Sequence, residues 1–346
     1  EILILDEPTA VLTPQEVEEL FKIMKNLKES GKTIIFITHK LKETMAVSDR
    51  ITVLRDGRNV GTVKTEDTSP HDLAEMMAGR KVLLQVETDR VETGEEILSV
   101  KNLNAENLKS GLELKNINFS LKSGEILGVA GVEGNGQLEL EEVLTGLMEI
   151  KSGKISLNGR DITDCTTKER RHMGIAHIPS DRHKRGMIEE FTVADNLIFG
   201  SEWDSPFSEN GVMQNNIISD YAKKAILDFD IRCAAYQIEA GSLSGGNQQK
   251  LVIARELMRN PELIVAAQPT RGVDVGAIEY IHNKLLDMRK NQKAVLLISA
   301  ELDELRSLSD RIIVIYEGKI VAEGRTEDFT EQKLGLLMAG HKEEAV

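Results

Sequence analysis

Two carboxylates close an apolar run at the start of the chain, Glu1-Ile2-Leu3-Ile4-Leu5-Asp6-Glu7. A histidine, His39, closes a second apolar run, Thr33 to Thr38. Paired carboxylates at a strand end suit a hard divalent cation on one and general-base work on the other. A histidine at the end of a neighbouring strand can reach the same ligand, since open α/β sheets form their sites at the carboxyl ends of strands. Further on, Leu243-Ser244-Gly245-Gly246-Asn247-Gln248-Gln249-Lys250 precedes an apolar-periodic run, Leu251 to Met258. We expect Ser244 to be the N-cap of a helix that ends near Asn260, ahead of Pro261. The glycines leave room for a polyphosphate to approach backbone N–H groups at the positive end of that helix, and Ser244 adds a hydroxyl. A third stretch, Gly131-Val132-Glu133-Gly134-Asn135-Gly136-Gln137-Leu138, follows a strand-like segment, Gly124 to Ala130, and precedes a helix expected to run through Leu147. Strand, glycine-rich loop and helix is the order a phosphate-binding loop requires. Gln137 and Leu138, however, stand where Lys should bridge two phosphates and a hydroxyl should hold the metal.

The elements that would position these residues repeat. Laying Glu1 on Glu262 gives an ungapped offset that holds for about 80 residues. Pro8-Thr9 falls on Pro269-Thr270, Ser48-Asp49-Arg50-Ile51 on Ser309-Asp310-Arg311-Ile312, and Met77-Ala78-Gly79 on Met338-Ala339-Gly340. By the same alignment Asp6 becomes Ala267, Glu7 becomes Gln268 and His39 becomes Ala300. The second copy has thus lost metal ligand, base and histidine together. The expectation is one partial copy over 1–84, a charged linker over 85–96 and a complete, degenerate copy over 97–346. On that expectation roughly 165 residues of the first copy lie outside this sequence.

Local signals place the elements. The run ending at Asp6 and the run Thr33 to Thr38 read as strands buried on both faces. Thr13-Pro14-Gln15-Glu16 is a capping box with Pro at the first helical position, and Gly31 suits the far end of that helix. Gly186 to Gly200, which carries Glu189 to Leu197, is expected to open a helical subdomain that runs to the Leu243 octet, whereas Trp203 to Met213 reads as a polar loop with no role assigned.

Composition bounds the partners. The chain has 346 residues and a formal charge of −14, which argues against a surface built to neutralise nucleic-acid phosphates. Cys165 and Cys233 are far apart and lack metal spacing. No apolar run reaches the ~18 residues of a membrane span, and no signal peptide opens the sequence.

The Leu243 to Lys250 octet resembles the signature of ATP-binding cassette (ABC) ATPases, in its LSGGNQQK form. Leu5-Asp6-Glu7 resembles a Walker B motif and His39 a switch histidine. The resemblance implies an α/β P-loop NTPase fold with a RecA-like parallel-sheet core, a helical subdomain and an antiparallel β subdomain. It implies ATP and Mg²⁺ as cofactors, with Asp6 holding Mg²⁺ through water, Glu7 activating the attacking water and His39 contacting the γ-phosphate. Ser244, Gly245, Gly246 and Gln248 would reach a nucleotide on the facing cassette. In the degenerate P-loop, Gly131, Gly134, Asn135, Gly136, Gln137 and Leu138 hold the nucleotide-binding positions. Pro179-Ser180-Asp181-Arg182 occupies a coupling-loop position and Asp274 a D-loop position.

The arrangement resembles the fused double-cassette ATPases of simple-sugar importers. Gly134-Asn135-Gly136-Gln137, Asp181 to Gly186 and Ala266 to Asp274 pull it toward the nucleoside branch linked to basic membrane proteins. Leu138 and Ser180 depart from that branch, which has Thr and Glu there. The implied partners are integral-membrane permease subunits, a solute-binding lipoprotein indirectly, and a second cassette (its own first or another copy), at the cytoplasmic face of the membrane. A sugar importer and a non-catalytic scaffold remain alternatives. A soluble double-cassette translation factor fits less well, because its long basic arm is replaced here by a short acidic linker.

Overall fold

The computed structural model describes residues 2–9, 12–55, 57–81 and 91–341. The part of the expected linker spanning 85–90 lies outside them. At the centre is a six-stranded sheet ordered Ile175–Ile178, Leu263–Ala267, Ala294–Ser299, Ile126–Ala130, Arg311–Tyr316, Lys319–Arg325. The first five strands are parallel and the last is antiparallel. Leu263–Ala267 and Ala294–Ser299 are buried along their length and apolar but for the final Ser299, because both faces are covered, as a parallel sheet demands. A four-stranded antiparallel sheet built on Glu96–Glu106 and Glu113–Lys122 covers one face. Helices Val193–Ile198, Asn215–Asp228, Gly245–Leu257 and Val275–Lys290 close the core on the other.

The N-terminal residues form two separate pairs of strands. Ile2–Asp6 runs parallel to Thr33–Ile37, and Arg50–Arg55 antiparallel to Arg58–Lys64. Each matches a later pair at the repeat offset, Leu263–Ala267 with Ala294–Ser299 and Arg311–Tyr316 with Lys319–Arg325. The match extends to a bulge, between Val53 and Leu54 in one hairpin and Val314 and Ile315 in the other. Helix Pro14–Glu29 carries the expected capping box at Thr13 and corresponds to Val275–Lys290, which starts at Asp274.

The early strands are not buried, contrary to the sequence expectation. Ile4 is 62% and Ile37 47% exposed, whereas their repeat mates Val265 and Ile298 are buried. The reason lies in the sheet order. In the second copy the strand Ile126–Ala130 bridges Ala294–Ser299 and Arg311–Tyr316. Among the described residues, no strand fills that place between Thr33–Ile37 and Arg50–Arg55. Two smaller expectations also shift. The loop from Trp203 to Met213 contains a short hairpin, Ser208–Glu209 with Val212–Met213. The helix after the glycine-rich loop is Gln137–Thr145, stopped by Gly146 in the left-handed region at φ 76°.

Candidate functional site

Asp6 and Glu7 close the strand Ile2–Asp6, beside the end of Thr33–Ile37, because Asp6 pairs in register with Ile37. Both carboxylates are exposed. The Glu7 backbone adopts φ 43°, a left-handed conformation uncommon for a long side chain, and its N–H donates to the Ile37 carbonyl at 2.8 Å. This turn brings Glu7 Oε1 to 3.0 Å from His39 Nδ1. Behind them Thr9 donates to Glu43 at 2.7 Å. Burial pushes the Glu43 carboxyl up, against the opposing pull of the Thr9 bond and Lys40.

In the second copy Gln268 keeps the same turn, at φ 46° with its N–H on the Ile298 carbonyl at 2.7 Å. Thr270 likewise donates to Glu304 at 2.9 Å. The scaffold persists while Ala267, Gln268 and Ala300 offer no carboxylate or imidazole.

The glycine-rich loop is folded on itself. The Gln137 amide donates to the Val132 carbonyl at 2.8 Å, and its oxygen accepts from the Asn135 N–H at 3.2 Å. That N–H is one of the donors a phosphate would use. Gly131 packs so closely on the Gln137 amide and Ile315 that a Cβ there would collide with both. Asn135 ties the loop to the hairpin Arg311–Arg325, since its carbonyl accepts from Gly318 N–H at 2.9 Å. Gly136 sits at φ 117°, which requires glycine, and Leu138 is 44% exposed with no polar atom to offer a metal.

Ser244 is the N-cap residue of Gly245–Leu257 in backbone conformation, yet its side chain makes no capping bond to a backbone N–H of the helix. Asn247 Nδ2 donates to Ser244 Oγ at 2.8 Å instead, and Asn247 Oδ1 accepts from the Arg232 N–H. The helix ends at Leu257, short of Asn260. Gln248 departs from the expectation of a nucleotide contact. It is buried, with Oε1 accepting from Arg182 Nε at 3.4 Å. Arg182 also donates to the Arg271 carbonyl at 2.9 Å, and burial lowers its guanidinium's pKa. Asp274 caps its own helix through the Ala277 N–H and lies against Gly246, so its contact is within its own unit.

Sequence reasoning missed Arg182 as the organiser of this corner. Its partners lie 66 and 89 residues away, and no local pattern announces them. It also missed Glu256, buried behind the signature among Arg255, Arg171 and Arg259. Burial alone would raise that carboxyl, but the three guanidiniums outweigh it and hold it at about 2. Among the described residues no group of three or more His, Cys, Asp or Glu side chains could hold a metal alone. No helix there is long and apolar enough to cross a membrane.

A parallel sheet with a glycine-rich loop on its central strand, a helical subdomain and an LSGGNQQK helix defines the ABC cassette class of P-loop NTPases. Residues 114–271 match the ABC transporter family. The chain is 47% identical over 340 residues to the nucleoside import ATP-binding protein NupA of Lactococcus lactis subsp. cremoris, covering 98% of this chain and 67% of that protein. It is equally similar to the guanosine import ATP-binding protein NupO of Bacillus subtilis, with the same coverage. The ribose import ATP-binding protein RbsA of Clostridium tetani is 38% identical, with 96% of this chain and 65% of that protein covered. The chain therefore spans about two thirds of the length of these relatives. A nucleotide-free ATP-binding cassette from an ABC transporter superposes with a TM-score of 0.57 at 29% identity, over 70% of this chain and 96% of that one. A dimeric cassette bound to ADP and phosphate shares the fold, with a TM-score of 0.58 at 23% identity, over 67% of this chain and 100% of that one. This chain belongs to the ATP-binding proteins of ABC transporters, a family of ATPases.

Proposed function

We propose that the chain is the energy-coupling part of an importer for nucleosides, built from two cassettes of which only the first hydrolyses ATP. Residues 1–84 are the C-terminal part of the first nucleotide-binding domain, 85–96 the linker and 97–346 the second, degenerate domain. The observation that carries this reading is the asymmetry at the repeat offset. Asp6, Glu7 and His39 cluster in one copy, while Ala267, Gln268 and Ala300 occupy the same backbone turn in the other.

In this reading Glu7 orients and deprotonates the attacking water, and His39 holds the Glu7 carboxylate while facing the γ-phosphate. Exposed Asp6 and Glu7 are oxygen donors of the kind that bind Mg²⁺ together with substrate phosphates, with Asp6 acting through water. Bound Mg²⁺ would neutralise charge on the phosphates. Ser244, Gly245 and Gly246 present the helix N-terminus to the nucleotide of the first cassette, with Gln248 and Arg182 bracing them from behind. Permease subunits take up the resulting motion at the cytoplasmic face of the membrane, and a solute-binding lipoprotein feeds them. The 47% identities to the nucleoside and guanosine import proteins support nucleosides as cargo. The ribose import relative keeps a sugar as the second reading.

The test uses the protein extended by its upstream coding sequence and assembled with its permease. Labelled guanosine and labelled ribose are offered separately, with Glu7→Gln as the control. Guanosine uptake that Glu7→Gln abolishes is the expected result. Uptake of ribose alone would select the sugar reading, and uptake unaffected by Glu7→Gln would remove the catalytic assignment.

A further inference from the structure

Lys42 Nζ lies 2.6 Å from Asp303 Oδ1, and the two residues are 261 positions apart. That separation is the repeat offset, so each residue is the other's counterpart. Lys40 Nζ lies 2.9 Å from Glu301 Oε1, and these are counterparts too. In a two-fold arrangement residue i meets j while j meets i, and a residue meets its own counterpart only at the axis. Two helix contacts between the units obey the first pattern. Helix Pro70–Ala78 packs on Val275–Lys290, and the exchanged pair, Glu331–Met338 with Pro14–Glu29, packs as well. The units are related by a pseudo-dyad that passes beside Lys40 and Lys42.

At such an axis the repeats have diverged to opposite charge. Two first units would set Lys40 and Lys42 against themselves, and two second units would set Glu301 and Asp303 against themselves. Only unlike units form two ion pairs. Shape adds an independent preference. A Cβ on Gly335 would come within 3.0 Å of Gln15 Oε1 and 3.1 Å of Pro14 Cδ. The counterpart of Gly335 in the first unit is Ala74, so two first units would press that Cβ onto Gln15. Two second units would set Gly335 opposite Gly276 and leave the space unfilled.

We propose that this axis selects the partner: a first-type cassette accepts a second-type cassette and rejects its own kind, because Lys40 and Lys42 require Glu301 and Asp303 while Gln15 requires Gly335. The proposal rests on the two-cassette reading given above. It adds that unlike pairing is written into the interface as well as enforced by the covalent link. Lys40 follows His39 and Glu301 follows Ala300, so the selection brings one histidine-bearing and one histidine-free turn to the same axis.

Amide hydrogen exchange on the whole chain tests it, at low and at high salt. K40E/K42E places four carboxylates at the axis, E301K/D303K places four ammonium groups there, and the fourfold exchange restores opposite signs. Exchange in helices Pro70–Ala78 and Glu331–Met338 should quicken several-fold in each double variant and return to the wild-type rate in the fourfold one. High salt should shrink the difference between the double variants and wild type, since charges that reach solvent, Lys42 and Asp303 above all, are screened. Gly335→Ala should quicken the same helices independently of salt. Strand Ala294–Ser299, buried in the second unit, reports the fold and should not change. Double variants matching wild type would overturn the proposal, and so would a fourfold variant as fast as the doubles, because the loss would then be local. An extended protein that failed to bind or hydrolyse ATP would end the functional reading and leave this exchange result intact.

Discussion

His39 Nδ1 lies 3.0 Å from Glu7 Oε1, across the ends of two parallel strands that the hydrogen-bond register brings level. The contact spans 32 residues of chain and is absent from the second copy, where Gln268 and Ala300 occupy the two positions. It joins the candidate base to the candidate switch residue. A histidine so held is positioned to respond to a phosphate that competes with this carboxylate for the imidazole.

Residues 1–346 by themselves should show negligible ATP turnover. The glycine-rich loop presents Gln137 rather than Lys, and among the described residues there is no glycine-rich loop carrying a lysine to accompany Asp6 and Glu7. Phosphate release is measured with the purified chain and with Glu7→Gln. Turnover near that of working family members, abolished by Glu7→Gln, would show that a P-loop lysine is dispensable here.

Gln137→Lys with Leu138→Thr should tighten nucleotide binding at the second copy without restoring hydrolysis. The substitution removes the amide that bonds the Val132 carbonyl and the Asn135 N–H, freeing the Asn135 N–H as a donor for a phosphate. Ala267, Gln268 and Ala300 still supply no metal ligand, base or switch. Calorimetric titration with ATP reads the first effect and phosphate release the second. Hydrolysis from this site in the extended protein, with Glu7→Gln silencing the first, would contradict the asymmetric reading.

Ser244→Arg should block solute uptake by the extended protein while leaving the fold intact. A long side chain at this helix start fills the space a γ-phosphate must enter. The stability change should stay below the ~1 kcal/mol typical of a lost N-cap, because the Ser244 hydroxyl caps no backbone N–H of the helix and accepts only from the Asn247 side chain. Thermal unfolding and uptake are measured together, alongside the matching change in the first cassette's signature. Equal loss of uptake in the two variants would mean that the second site also works.

Glu256→Gln should destabilise the chain by about 3–5 kcal/mol at neutral pH, since three guanidiniums lose a buried charge partner. The sign of the pH dependence follows from the folded value of about 2 against an ordinary 4.5. A lowered folded value means the stabilisation is complete above about pH 4.5 and is lost as pH falls from there through about 2. Denaturant melts of wild type and variant should therefore converge as the pH drops through that window. A gap that stays constant would show that the carboxylate charge is not what stabilises this cluster.

The sequence by itself determined the class of fold, the three motif stretches and the asymmetry between copies. Those depend on residue identity at fixed local spacing: a capping box at Thr13, apolar runs ending in Asp6-Glu7 or at His39, glycines ahead of a helix, and a repeat that survives without a gap. Even the left-handed turn is shared, at φ 43° for Glu7 and φ 46° for Gln268, although the two side chains differ in chemistry.

Tertiary structure decided the rest. The early strands read as buried because their composition is that of a covered sheet, yet burial depends on which strand lies alongside, and sequence does not carry that neighbour. Gln248 read as a ligand contact and became a buried partner of Arg182, 66 residues away. Gln137 read as a missing lysine and became a plug in its own loop. The pairing of Lys42 with Asp303 joins residues 261 apart and appears only when two units pack about an axis. Local pattern reports what a segment can form, whereas contacts across such separations are set by packing, where one covering strand or one arginine changes what a side chain can reach.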